Sequence, residues 1–199
     1  MILLKENTYK MPEGKLFIFS APSGAGKTTI VKNLLAINPL LEFSISATSR
    51  AMREGEINGK DYYFISANEF QTKINNNEFL EWEEVYKDQY YGTLKSELER
   101  IWTKAHHVIF DVDVVGGLNI KNAYPKRALS VFVMPPTPET LKDRLLNRST
   151  ETEDSLRKRL EKAHWELGFA DKFDIVLIND KLEDSVKKAV EMVETFILK

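Results

Sequence analysis

Between an apolar run and a helical stretch, the chain reads Ala21-Pro22-Ser23-Gly24-Ala25-Gly26-Lys27-Thr28-Thr29. A glycine-rich turn placed there aims successive backbone N–H groups and a helix N-terminus at one point, which makes a seat for phosphate oxygens. Lys27 adds a point charge at the β/γ-phosphates of a nucleotide, and the Thr28 hydroxyl is a ligand suited to Mg²⁺. The usual spelling has Gly where Ala21 stands, but the Gly-Lys-Thr core that makes most of the contacts is intact. Isolated glycine-rich turns are common. Here the strand, the spacing, the Lys-Thr pair and the helix agree.

A second anchor is His107-Val108-Ile109-Phe110-Asp111-Val112-Asp113, an apolar strand ending in acid. A carboxylate at the carboxyl edge of a parallel sheet, beside a phosphate loop, holds Mg²⁺ directly or through its waters, and Asp111 is the candidate. The alternative is a strand-end acid that faces solvent.

What receives a phosphoryl group is a separate question, on which residues 44–93 bear. Ser46, Arg50, Arg53, Tyr62 and Tyr91 offer hydroxyl and guanidinium donors to a small phosphate dianion, the arginine fork binding oxygens in pairs. Taken singly, each arginine reads as a solvated surface residue. Glu81 stands between Leu80 and Trp82, and Asp113 lies beyond the metal-binding acid. Guanine presents two adjacent donors, N1–H and its exocyclic amine, so a carboxylate that accepts both discriminates against adenine. A mismatched base leaves the carboxylate unpaired, a penalty that gives large discrimination. Glu81 reads equally as a charge on a strand edge.

These residues need a frame. Short apolar runs at 16–20, 108–112, 129–134 and 175–178, with a further one near 43–46, alternate with segments of helical period, which predicts parallel strands joined by crossover helices. Leu182, Val186, Ala189, Val190, Val193, Phe196 and Ile197 share one face of a closing helix. Leu156, Leu160, Ala163 and Leu167 form a similar stripe, preceded by Thr150 and Glu153 at capping-box spacing. From 44 to 93 the texture changes: Gly55, Asn58 and Gly59 mark turns and Tyr62, Tyr63 and Phe64 form an aromatic run, as an insertion into the layered core would.

Composition narrows the classes. Twenty-eight basic against 30 acidic side chains leave no basic excess for duplex nucleic acid, so any anion site is local. With no cysteine, disulfides, thiolate zinc sites and cysteine nucleophiles are excluded. No run approaches the roughly 20 apolar residues of a membrane span, and the first residues lack a signal peptide's apolar region. A cytoplasmic protein with neither membrane nor nucleic-acid partner is expected.

Over nearly the whole chain from Leu16, the residues resemble guanylate kinases. The resemblance rests on five ordered blocks: residues 44–64, Glu78-Phe79-Leu80-Glu81-Trp82, Tyr90-Tyr91-Gly92-Thr93, Asp111-Val112-Asp113 and Arg148-Ser149-Thr150-Glu151-Thr152. It implies a doubly wound α/β core with a P-loop (15–43, 95–143 and 158–199), a GMP-binding insertion (44–94) and a lid (144–157). It implies transfer of the γ-phosphoryl group of ATP to GMP or dGMP with Mg²⁺. Ser46, Glu81 and Asp113 would then read guanine, while Arg50, Arg53, Tyr62 and Tyr91 hold its phosphate and Gly92 and Thr93 complete that block. Lys27, Arg148 and Arg159 would reach the transferring phosphates, and Asn179 would lie near adenine. Met52, Ser49, Val115 and Ser149 depart from the family's usual Pro, Thr, Gln and Gly without removing a needed charge. A related kinase with another acceptor would leave Glu81 and Asp113 without purpose. Peptide-binding scaffolds of similar sequence generally lose parts of the ATP site, whereas Lys27, Thr28, Asp111 and Arg148 all remain.

Overall fold

The structure is a computed structural model and describes residues 14–146 and 153–199. The chain lays down β1 (Leu16–Ser20), α1 (Lys27–Ile37), β2 (Leu41–Phe43), β3 (Ala47–Thr48), β4 (Tyr63–Phe64), α2 (Ala67–Asn75), β5 (Phe79–Tyr86) and β6 (Gln89–Leu94). It continues through α3 (Lys95–Trp102), β7 (His107–Asp111), α4 (Val114–Ala123), β8 (Ala128–Met134), α5 (Pro138–Leu146), α6 (Glu153–Leu167), β9 (Ile175–Ile178) and α7 (Leu182–Ile197).

Five of these strands make one parallel sheet in the order β2-β7-β1-β8-β9. The central strand β1 is buried along its whole length because helices cover both faces. Its side chains alternate between two cores. Phe17 and Phe19 join Ile30, Val31 and Leu34 of α1 and Ala189 and Val193 of α7. Leu16 and Ile18 join Leu98 and Ile101 of α3 and Ile120 of α4. The expected α/β doubly wound core is therefore present. The stripe on α6 packs Leu156, Leu160, Ala163 and Leu167 against Leu141 and Leu145 of α5. The capping box proposed for that helix involves Thr150, which lies outside the described residues. Among the described residues, no helix is long and apolar enough to cross a membrane.

Two strands sit earlier than expected: β7 by one residue, at His107–Asp111, and β2 at Leu41–Phe43, not 43–46. Ser44 N still donates to Ile109 O at 3.0 Å, but Ile45 N turns away to the Glu97 carboxylate at 2.9 Å. That carboxylate, at the head of α3 and 2 % exposed, also accepts from the Tyr63 hydroxyl at 2.8 Å and pairs with Arg100 at 2.9 Å. Burial alone would raise its pKa, yet the bonds from Arg100, Ile45 N and Tyr63 bring it below the usual carboxylate range.

Residues 47–94 supply a second sheet in the order β4-β3-β6-β5, over a small core of Ala47, Phe70, Phe79 and Tyr90. Phe70 stacks on Phe79 with ring centroids 4.2 Å apart. β5 and β6 form an antiparallel hairpin that pairs Glu81 with Thr93 and Glu83 with Tyr91.

Candidate active site

The glycine-rich loop joins β1 to α1 at the carboxyl edge of the sheet, where open α/β sheets bind ligands. Gly24 and Gly26 both take φ of 92°, a left-handed conformation that favours glycine. Gly26 is doubly constrained, since a Cβ there would lie 2.3 Å from Asn179 Nδ2. Ala21 is absent from the residues of positive φ, so the turn accommodates its methyl group without that strain. Asn179 Nδ2 donates to Ala25 O at 2.7 Å, and Arg144 donates to Ala25 O at 3.3 Å and to Asn179 O at 3.1 Å. The loop is thus braced from beneath by the end of β9 and by α5. Ala21, Pro22, Ser23, Gly24, Gly26, Lys27, Thr28 and Thr29 line a cavity of about 340 Å³.

Lys27 Nζ donates to Val112 O at 2.7 Å and pairs with Asp111 Oδ1 at 2.6 Å. An ammonium carries three donors, so one remains for a phosphate oxygen. Thr28 Oγ1 donates to Asp111 Oδ2 at 2.6 Å. The reading of Asp111 as a carboxylate that merely faces solvent is overturned by these two contacts.

A second cavity, of about 350 Å³, is lined by Ser46, Tyr62, Glu81, Glu83, Tyr91, Gly92, Asp113, Gly116 and Lys162 among others. Tyr62, Asp111, Val112 and Asp113 line both cavities, which therefore share a wall. Glu81 faces the second cavity with Oε1 accepting from Thr93 Oγ1 at 2.7 Å. Burial pushes its carboxyl up to about 7, an effect the Thr93 bond opposes and the Asp113 charge reinforces. Glu81 comes this close to α4 because residue 116 is glycine: a Cβ there would lie 2.9 Å from Glu81 Oε2. Gly92 has a similar role on the opposing strand, where a Cβ would lie 2.7 Å from Glu81 O. Asp113 caps α4 by accepting from Gly116 N at 2.8 Å, and its carbonyl accepts from Ser20 Oγ at 2.9 Å.

Arg50 does not line the second cavity but touches two residues that do, its Nε donating to the Tyr91 hydroxyl at 3.1 Å and its guanidinium lying 5.1 Å from the Tyr62 ring centre. Burial pushes the Tyr62 phenol up. Arg53 is exposed and does not line the second cavity. Arg159 is half-buried on α6, and Arg148 lies outside the described residues.

Several charged groups escaped the sequence reading. Glu83 points into the second cavity two residues after Glu81, and burial followed by a hydrogen bond with Asp113 pushes it up to about 7. The period-2 alternation of a strand would have placed it there. Glu166 of α6 lines the loop cavity, 4 % exposed, and its Oε2 has no hydrogen-bond partner among the described residues. Burial raises its pKa. Nothing in the local sequence marks either Glu166 or Lys162, because α6 brings them to the site from the other end of the chain.

The guanylate kinase family matches residues 13–196. The guanylate kinase of Bacteroides fragilis is 51% identical over 189 residues, spanning 95% of this chain and 93% of its own length. That of Porphyromonas gingivalis is 50% identical across 93% of this chain and 99% of its own length. The crystal structure of guanylate kinase from Anaplasma phagocytophilum superposes with a TM-score of 0.75 at 27% identity, covering 94% of this chain and 88% of that one. With a phosphate loop, an acid-lined neighbouring cavity and these matches along nearly its full length, the chain belongs to the guanylate kinase family.

Proposed function

We propose that the protein transfers the γ-phosphoryl group of ATP to GMP, giving ADP and GDP, as a cytoplasmic step of purine nucleotide metabolism. The observation that carries this reading is the shared wall: Asp111 and Tyr62 line both the phosphate-loop cavity and the cavity that holds Glu81. Two nucleotides seated on either side would bring a donor phosphoryl and an acceptor phosphate together, the positioning on which phosphoryl transfer depends.

In this reading, the loop amides and Lys27 bind the β- and γ-phosphates of ATP, Asn179 lies toward adenine, and Arg148 and Arg159 stabilise charge on the transferring group. Residues 21–29 of the loop make up the rest of the ATP seat. Ser46, Glu81 and Asp113 read guanine, Arg50, Arg53, Tyr62 and Tyr91 hold the GMP phosphate, and Gly92 and Thr93 shape the wall behind Glu81. Residues 44–94 act as the acceptor-binding unit and 144–157 as a lid whose closure excludes water. The acceptor oxygen is already anionic, so no strong general base is needed.

The donor set fits Mg²⁺. Thr28 and Asp111 offer hard oxygen ligands within 2.6 Å of each other, and Mg²⁺ takes one or two protein oxygens and completes its shell with phosphate and water. When bound there, the ion would neutralise phosphate charge.

The reading is tested by ADP release with ATP and Mg²⁺, offering GMP, AMP, CMP and UMP separately. Turnover with GMP far above the rest is expected. Equal turnover with AMP would refute the guanine assignment of Glu81, and none with any acceptor would refute the reaction.

A further inference from the structure

The Arg50 guanidinium already has a carboxylate partner. Its Nη1 and Nη2 donate to Glu56 Oε2 and Oε1 at 2.7 and 2.6 Å, a two-pronged pair. Nη1 also donates to Ala51 O at 2.9 Å, and Nε donates to the Tyr91 hydroxyl at 3.1 Å. A guanidinium has five N–H donors, and these contacts occupy four. The fifth, on Nη2, is the only one Arg50 has left to give.

Glu56 also accepts from Arg53 N at 2.7 Å, so one carboxylate holds the side chain of Arg50 and the backbone of Arg53. The turn that allows this passes through Gly55 at φ 84° and closes with Glu56 N donating to Arg53 O at 3.2 Å. The Arg50 side chain is 9 % exposed and that of Glu56 19 %. A guanidinium so withdrawn from water needs a permanent counter-charge whenever no phosphate is present.

We infer that Glu56 is a positioning residue for the acceptor phosphate, fixing Arg50 so that one Nη2 N–H and the Tyr91 hydroxyl face the substrate while Arg53 is held alongside. This rests on the GMP reading above. The Tyr91 oxygen accepts from Arg50 Nε, which leaves its O–H free to donate to an incoming oxygen. Glu56 thus orders two donors without touching substrate. Hydrogen bonds from Arg50 and then from Arg53 N hold its carboxyl down at about 2, so it stays charged at any pH at which the enzyme works.

The test compares Glu56→Gln and Glu56→Asp with the unaltered protein, measuring equilibrium binding of GMP, guanosine and ATP together with kcat and KM. Loss of a charge-assisted pair is expected to weaken GMP binding and raise its KM roughly tenfold to a hundredfold in Glu56→Gln. Guanosine, which has no phosphate, and ATP should bind as before, kcat should change little, and Glu56→Asp should recover part of the loss. GMP binding that is unchanged or tighter in Glu56→Gln would overturn the inference, the latter by making Glu56 a competitor of the phosphate. Equal losses for GMP, guanosine and ATP in both variants would overturn it too, since Glu56 would then only support the fold. If the unaltered protein binds GMP no better than guanosine, the acceptor reading itself fails, whatever Glu56 does.

Discussion

Gly116 and Glu81 are in direct apposition: the space a methyl group would take on Gly116 ends 2.9 Å from Glu81 Oε2. The obstructed atom is the far end of a flexible side chain, so the fold can yield there, whereas the guanine contact proposed for Glu81 cannot. Gly116→Ala is therefore expected to leave the melting temperature nearly unchanged, because alanine also gains roughly 0.5–1 kcal/mol of helix propensity. The KM for GMP should rise about tenfold, the cost of displacing one charged hydrogen-bonding group. Steady-state kinetics beside a thermal melt would separate the two effects.

Glu81 also sets a pH dependence. Its folded pKa of about 7 lies above the ordinary 4.5, so the folded chain holds this proton more tightly than the unfolded one. Its contribution to stability is complete below 4.5 and is lost as pH rises through about 7. Under the guanine assignment proposed above, function runs the other way, because only the carboxylate would accept both guanine donors. Affinity for GMP should increase between about pH 6 and 8, and Glu81→Gln should remove the Glu81 part of that rise. Glu83, also pushed up to about 7, is the control, and a Glu83→Gln titration run in parallel assigns the remainder.

Replacing Lys27 with Ala removes both the pairing to Asp111 and the ammonium donor left over for a phosphate oxygen. Turnover should fall about a hundredfold or more, as when a preorganised donor to a developing charge is deleted. Near-normal turnover under saturating ATP would refute the assignment of Lys27.

Asp111→Asn keeps shape but removes the charge that faces Thr28 and Lys27. The Mg²⁺ concentration needed for half-maximal rate should increase, and chelation with EDTA should abolish turnover in the unaltered enzyme. A magnesium titration at fixed ATP reads both.

Glu97→Ala would strand Ile45 N and the Tyr63 hydroxyl at the joint between the two sheets and leave Arg100 with the Glu42 carboxylate and Phe43 O as partners. Because Arg100 keeps Glu42, the loss comes mainly from the two donors left unpaired, roughly 2–3 kcal/mol together. Urea unfolding should show that loss with ATP affinity intact.

What could be read beforehand divides along physical lines. The bounds of β1, β9 and α7 follow from uninterrupted apolar runs and a three-and-four stripe, signals contained within each segment. The end of β2 was not legible, because the group that ends it, Glu97, lies 52 positions away. The loop residues Gly24, Gly26, Lys27 and Thr28 carry their chemistry in adjacent positions and were readable as a unit. Glu81 was ambiguous between reader and edge charge, since its surroundings come from Thr93 and Gly116 and not from Leu80 and Trp82. Glu56 carries no such local signal: its tie to Arg50 depends on the turn through Gly55 and not on its own neighbours.

The central strand has a consequence for the protein's synthesis. β1 pairs with β7 and β8, so Leu16 waits for Val108 and Ala128 before it has a neighbour in the sheet. At roughly 5–20 residues per second, the ribosome leaves that apolar strand unpartnered for on the order of 5–20 s. During this interval Phe17, Ile18 and Phe19 are an adhesive segment with no sheet to join. Chaperone binding to the nascent chain should therefore concentrate on these first residues and end once β7 has emerged.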